Sequence, residues 1–435
     1  MLTIFQNKTS KYCDGVSRRS FLKVGAMGIG AASLTLSDLL RMEAQAGPTS
    51  VSKKSMINIY LGGGPSHTDI FDLKPDAPSE FRGEFSPIST NVPGMQICEL
   101  MPKLAKSADK FAVIRSVVGT YPDHSNVHTL SGYDEKDIKA VGGRPPLGSV
   151  VAKLQGGRNS APPFVSLMGP VSAGFVGPLY QPFRPDGPGR ANLQLTRISA
   201  DRVHDRSKLL GDLDNLKRDI DASGAMEAMD SFQQSAVEVV TSGRLADALD
   251  LQKEDPAVRA RYQAGSRDRM GDTDNLLLAR RLVEAGARVV TTQWGGWDTH
   301  TNNFTTLRRQ LPALDAALAA LIQDLQDRGM LQDTTIVMWG EFGRSPRINN
   351  GGRDHWPKVM GAFMAGGGMK TGQMIGATDR YGGEAIDRPV HLREVFATLY
   401  HNMGINAKAT SIVDPAGRPQ YLVDGYDPIK ELVGA

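Results

Sequence analysis

Asp298 and His300 stand one residue apart in the run Gly295-Gly296-Trp297-Asp298-Thr299-His300. In extended backbone alternate residues share a face, so both side chains can reach one ligand. Farther along, Gly340-Glu341-Phe342-Gly343 supplies a second carboxylate and Arg353-Asp354-His355-Trp356 a second imidazole. Imidazole with carboxylate suits a borderline divalent ion such as zinc, whereas carboxylates and carbonyls alone would suit calcium or magnesium. A plainer use of the same residues stays open: Asp298 and Glu341 can cap helices while the histidines satisfy backbone carbonyls.

Two earlier stretches carry the same residue types. One holds Ser66, His67, Asp69 and Asp72; the other is Thr120-Tyr121-Pro122-Asp123-His124-Ser125-Asn126-Val127-His128. The four stretches contain five of the eight histidines: His67, His124, His128, His300 and His355. His204, His391 and His401 lie elsewhere. Read alone, Thr120 is a strand-end turn residue. Arg344 can offer a two-pronged contact to an anion or join an ordinary ion pair.

Each stretch follows a run that reads as a strand: 55–61, 111–118, 288–293 and 334–339. Residues 358–365 add another strand. Between them, 275–285 has a helical apolar pattern ended by Gly286, and Leu311, Leu314, Leu318, Leu321 and Leu325 recur at helical spacing, with Pro312 near the start. Residues 391–402 form a late helix closed by Gly404, and 205–264 is polar and helical in character. Residues 72–94 and 142–189 are irregular and rich in Pro and Gly. Strand, helix, strand with short links predicts an α/β fold: a mostly parallel central sheet sandwiched between helices. Functional groups in such folds gather beyond the carboxyl ends of the strands.

The N-terminus reads as an address. Ser17-Arg18-Arg19-Ser20-Phe21-Leu22-Lys23 is a twin-arginine motif, followed by a weakly apolar run from Val24 to Leu40 and a small-residue cleavage site at Ala44-Gln45-Ala46. The run is too short and too rich in Gly, Ala and Ser for a permanent span. The sequence therefore divides into a signal segment, 1–46, and one domain, 47–435, exported by the twin-arginine machinery to the periplasm or beyond. The signal segment holds six basic residues (Lys8, Lys11, Arg18, Arg19, Lys23, Arg41) and three acidic ones (Asp14, Asp38, Glu43). Against 50 Lys+Arg and 47 Asp+Glu in the whole chain, that leaves the rest formally neutral. Nothing in that balance calls for nucleic acid or an anionic membrane. Cys13 leaves with the signal, so Cys98 has no partner for an internal disulfide.

Three motifs carry a resemblance. Gly-Gly-Gly-Pro-Ser-His-Thr-Asp-Ile-Phe-Asp at 62–72, Trp-Asp-Thr-His at 297–300 and Gly-Glu-Phe-Gly-Arg-Ser-Pro at 340–346 resemble the exported domain-of-unknown-function family 1501 over almost the whole mature chain. That family is similar to a branch of the alkaline phosphatase and sulfatase superfamily. The resemblance implies a divalent-metal site at strand ends, with Asp298, His300 and His355 as ligands, Asp69 as an early ligand and Glu341 in the place of a metal-binding aspartate. Gly119-Thr120-Tyr121-Pro122-Asp123-His124 is similar to a Thr-Phe-Pro-Asn-His stretch of nucleotide pyrophosphatases, which points to Thr120 as nucleophile and Ser125 as a second candidate. His128 and Arg344 would then stabilise charge on the transferring oxygens.

The sequence also departs from that pattern. Phe342 replaces a second metal-binding histidine, Asp123 replaces an asparagine, and the Cys/Ser-x-Pro-x-Arg motif of formylglycine sulfatases is missing. Gly366-Gly367-Gly368-Met369-Lys370-Thr371 lacks phosphate-loop spacing, and Gly62-Gly63-Gly64 lacks a dinucleotide fingerprint; both read as tight turns. The expectation is a metal-dependent hydrolase, zinc favoured and calcium or magnesium open, acting on a small or glycan-linked phosphate or sulfate ester. The alternative is a silent relative that binds an extracytoplasmic glycan or protein.

Overall fold

The computed structural model describes residues 53–159, 161–186, 243–264 and 270–434. The signal segment, His204 and residues 205–242 of the polar stretch lie outside them. Every residue of strand β1 (Ser55–Leu61) is buried, as a strand covered on both faces requires. Its side chains alternate: Ile57, Ile59 and Leu61 enter one apolar cluster and Met56 the opposite one. Strands β2 (Phe111–Val118), β3 (Phe164–Ser166), β4 (Val289–Trp294), β5 (Thr334–Trp339), β6 (Met360–Gly366), β7 (Gln373–Ile375) and β8 (Val390–His391) complete the sheet. Their order is β7-β2-β6-β5-β1-β4-β3, with β8 beside β2.

β1 lies parallel between β4 and β5, with Ile57 level with Val290 on one side and Ile336 on the other. β3 adds to β4, and β7 and β8 to β2, also in parallel. Only β6 runs against its two neighbours, β2 and β5. The reason is local. The chain leaves β5, makes the loop of residues 340–359 and returns with no crossover helix, so the next strand must reverse.

Helices α1 (Leu147–Gln155), α2 (Met270–Ala285), α3 (Asn303–Asp327) and α4 (Leu392–Asn402) cover the two faces. Leucines of α2 and α3, among them Leu282, Leu314 and Leu318, pack with Ile57 and Ile336 on one face. Val150 of α1 and Phe396 of α4 pack with Met56 and Val337 on the other. Helix α3 starts earlier than Pro312 suggests, because Phe304 and Leu307 continue the buried face and an interior proline removes only one backbone donor. His391 caps α4: it accepts from Arg393 N while Glu394 reaches back to His391 N. Residues Lys53–Ala435 form one compact unit. Among the described residues, no helix is long and apolar enough to cross a membrane.

Candidate metal centre

β1, β4 and β5 run in parallel, and β2 shares their direction because both it and β5 oppose β6. The four loops that follow these strands therefore open on one edge of the sheet. Glycine lets two of them nearly touch. Gly63 has φ +111°, and a Cβ there would run into the backbone of Trp297 and Asp298. Its N–H points instead to both oxygens of the buried Glu341 carboxylate, at 2.9 and 3.1 Å.

Around that junction stand Asp298, His300, His355 and His124. His300 Nε2 lies 3.1 Å and His355 Nε2 3.2 Å from Asp298 Oδ1, and the two Nε2 atoms are 3.1 Å apart. His124 Nε2 lies 3.4 Å from Asp298 Oδ2. One ligand atom from each of His124, Asp298 and His355 falls within 4.8 Å of the others. The side chains are roughly half-exposed except His355, which is more enclosed.

The Nδ1 partners fix what the Nε2 atoms can be. His124 Nδ1 is 2.9 Å from Glu341 Oε1, His300 Nδ1 3.0 Å from Asp354 Oδ1, and His355 Nδ1 3.0 Å from the Pro122 carbonyl. A carboxylate or carbonyl only accepts, so each Nδ1 carries the proton and each neutral ring presents a lone pair at Nε2. With all three rings neutral, three lone pairs face one carboxylate, and two of them face each other 3.1 Å apart. A cation resolves that repulsion. Ligand nitrogens around tetrahedral zinc stand about 3.3 Å apart for bonds of roughly 2.0–2.1 Å, close to the spacing here. Outward Nδ1–H donation to carboxylate or carbonyl is the arrangement that orients metal-ligating imidazoles. Burial raises the Asp298 carboxyl, but the hydrogen bond from Arg344 and the charge of its guanidinium outweigh it and hold it below the usual range. Phe342 lies against His355, ring centres 4.1 Å apart, and packs the imidazole from one side.

The sequence-predicted residues separate here. Asp298, His300 and His355 are brought together. Glu341 is close but sits behind His124, held by Gly63 N–H, His124 and the Tyr60 phenol, so its contact with an ion runs through the imidazole. Asp69 is not brought to the cluster: Arg353 binds it with two nitrogens at 2.8 and 2.9 Å and Asn303 adds a third contact. Thr120 Oγ1 donates to the Pro357 carbonyl at 2.9 Å. His128 is buried, its Nε2–H donating to the Glu341 carbonyl, and burial lowers its pKa and keeps it neutral. Arg344 is fully buried and donates to the carbonyls of Gly63, Gly64, Trp297 and Arg353 and to Asp298, which leaves no fork for an anion. Ser125 lines the cleft next to His124.

Two residues were missed. His124 was seen among the loop histidines but not chosen as a ligand, although it occupies the imidazole position of the stretch that pointed to Thr120. Asp354 precedes His355 yet serves His300; its carboxyl is held low first by the hydrogen bond with His300. Nothing in a spacing pattern shows that cross-loop pairing.

Beside His124 and Glu341 opens a cleft of about 720 Å³, walled by Tyr60, Gly63, Ser125, Lys139 and Arg144 among others. A family described as "Protein of unknown function (DUF1501)" matches residues 53–433. A search of curated proteins gives no match. Among solved structures, Ps i-CgsB matches with 11% identity and TM-score 0.39, covering 86% of this chain and 75% of that one. Lipoteichoic acid synthase LtaP from Listeria monocytogenes matches with 10% identity and TM-score 0.31, covering 82% and 73%. The PsFucS1 sulfatase from Pseudoalteromonas sp. matches with 10% identity and TM-score 0.33, covering 85% and 70%. At these scores the likeness carries no inference about this chain's chemistry.

Proposed function

Because the chain belongs to the DUF1501 family, and its loops bring three outward-anchored histidines onto one aspartate, we propose that it is an exported, metal-dependent hydrolase of a phosphate or sulfate ester. The observation that carries this reading is the set of three Nδ1 anchors, Glu341, Asp354 and the Pro122 carbonyl. Asp298, His355 and His124 would hold the ion, with His300 completing the set. When bound, a divalent ion supplies Lewis acidity toward an ester oxygen and acidifies a nearby hydroxyl or water. The choice of phosphate or sulfate rests on the resemblance of residues 119–124 and 297–300 to the superfamily. Export rests on the twin-arginine segment.

The chain's own residues set the rest. The cleft lies within the size range of small-molecule sites, so it admits the organic part of an ester as well as its charged group. Ser125 is the better-placed hydroxyl: it faces that cleft and hydrogen-bonds Glu135, whose carboxyl is held low by Ser125 first and Lys139 second. Gly63 and Glu341 fix His124 at the cleft wall.

A second reading has its own support. Thr120, His128 and Arg344, three residues expected to act in catalysis, are each hydrogen-bonded to backbone. In that reading the cleft binds an extracytoplasmic glycan or protein without turnover.

One experiment separates the two. Metal content and turnover of a panel of phosphodiesters and sulfate esters are measured for wild type, Asp298→Ala, His355→Ala and Ser125→Ala. The hydrolase reading expects turnover lost with the metal in the first two variants, and lost with the metal retained in Ser125→Ala. Metal uptake with no turnover on any ester moves the assignment to binding.

A further inference from the structure

Arg144 lines the cleft beside the metal centre, yet its side chain is only 9% exposed. Three groups hold it. Asp137 Oδ2 accepts from its Nε at 2.7 Å, the Tyr421 carbonyl accepts from Nη1 at 3.3 Å, and the guanidinium lies 3.9 Å over the Tyr133 ring. Tyr133 is itself fixed, by Arg393 at 4.2 Å from its ring centre and by its hydroxyl on the Tyr421 carbonyl. The backbone is held as well. A Cβ at Gly174 (φ +60°) would run into Arg144 and Pro145, and Phe175 N donates to the Gly143 carbonyl at 2.9 Å. These residues are distinct from those that hold the histidine cluster, so the cleft has a second rigid polar point.

A guanidinium carries five N–H donors. The bonds to Asp137 and Tyr421 use two, which leaves three with no acceptor among the described residues. Arg353 and Arg344 differ: each spends all three of its nitrogens on protein oxygens. Enclosed N–H groups left without an acceptor are costly, and those of Arg144 border a cleft that a ligand can enter. The free fork that the sequence placed at Arg344 is therefore found at Arg144. The carboxylates on this wall already have partners, Asp137 in Arg144 and Glu135 in Lys139 and Ser125. The same cleft carries an apolar patch in which Tyr60, Leu130 and Val171 pack together.

We infer that Arg144 is a specificity residue: it binds a second oxyanion, a carboxylate or sulfate, carried by the organic part of the ester whose reacting group sits beside His124. This rests on the cleft being the ester site of the proposed function. A planar fork held in place from three sides meets two oxygens of such a group at once, with little rotamer freedom left to lose. The apolar patch takes the carbon skeleton.

Non-hydrolysable probes keep the test independent of turnover. Phenylphosphonate and benzenesulfonate are the parents; each is compared with derivatives bearing a carboxylate, a sulfonate or a neutral carboxamide one to three methylenes from the ring. Dissociation constants are measured by calorimetry on full-length protein incubated with zinc. The terminal oxyanion is expected to tighten binding about 10–100-fold over the carboxamide at one spacer length or more, the range of a hydrogen bond to a charged group. Whether carboxylate or sulfonate gains more identifies the oxyanion. The gain is expected to disappear in Arg144→Gln. No gain at any length, or the same gain in that variant, overturns the inference. Arg144→Lys keeps a cation over Tyr133 without the fork and is read if Arg144→Gln does not fold; it is expected to lose most of the gain, and a full gain there overturns the role of Arg144. Ester turnover is a separate readout. A gain with no turnover keeps Arg144's part in ligand choice and removes the hydrolase reading; turnover with no gain does the opposite.

Discussion

Glu341 and Asp69 are both buried carboxylates at strand-end loops, and sequence alone gives them the same role. Their partners divide them. Glu341 holds His124 by its Nδ1, so Glu341→Gln is expected to weaken metal binding about 10–100-fold, the usual cost of losing such an anchor. Competition with a chromogenic chelator measures it, and unchanged affinity would remove Glu341 from the site. Asp69 is the partner of the buried Arg353. Asp69→Ala strands that charge and is expected to cost about 3–5 kcal/mol of stability, read from the urea midpoint. A direct ligand would show the reverse, with metal lost and stability little changed. Residue type and loop position were legible for Asp298 and His300 because they stand one residue apart, and for His355 because it is an imidazole in the next strand-end loop. The role of His124 was not, since it depends on which loop meets which across the sheet.

At the scale of elements the sequence was more readable. The strands 55–61, 111–118 and 334–339 stand where alternation and turn residues place them, because each is bounded by glycine or a helix end. The direction of β6 was not readable, since a strand's residues do not record which way it runs. The turn after β1 is the critical connection. Gly63→Ala puts a side chain at φ +111° against the Trp297–Asp298 backbone. About 1–3 kcal/mol of backbone strain follows, together with displacement of Asp298. The expected outcome is a folded protein by circular dichroism with metal affinity reduced at least as far as in Glu341→Gln. Normal affinity would show that the two loops can separate without disturbing the cluster.

For the whole molecule, an ion bound by His124, Asp298 and His355 would join segments far apart in sequence, because these residues follow β2, β4 and β5. An ion that binds only the native state stabilises it by about 2.7 kcal/mol at a free concentration a hundred times its dissociation constant. Zinc is therefore expected to raise the melting temperature, chelator to lower it, and Asp298→Ala to respond to neither; a flat response in wild type would count against a native-state site. The sheet-and-helix layering was legible in the period of the apolar residues. Cys98 is buried, with its thiol pushed up to about 12 by burial.

The four tryptophans of the chain are Trp294 and Trp297 on either side of the β4 exit, Trp339 at the end of β5, and Trp356 next to His355. All of them sit where the loops converge, and Trp297 and Trp356 are direct chain neighbours of Asp298 and His355. The protein's ultraviolet emission therefore arises almost wholly from the surroundings of one site. A paramagnetic ion such as cobalt seated there would quench much of that fluorescence, so occupancy can be followed optically without any label.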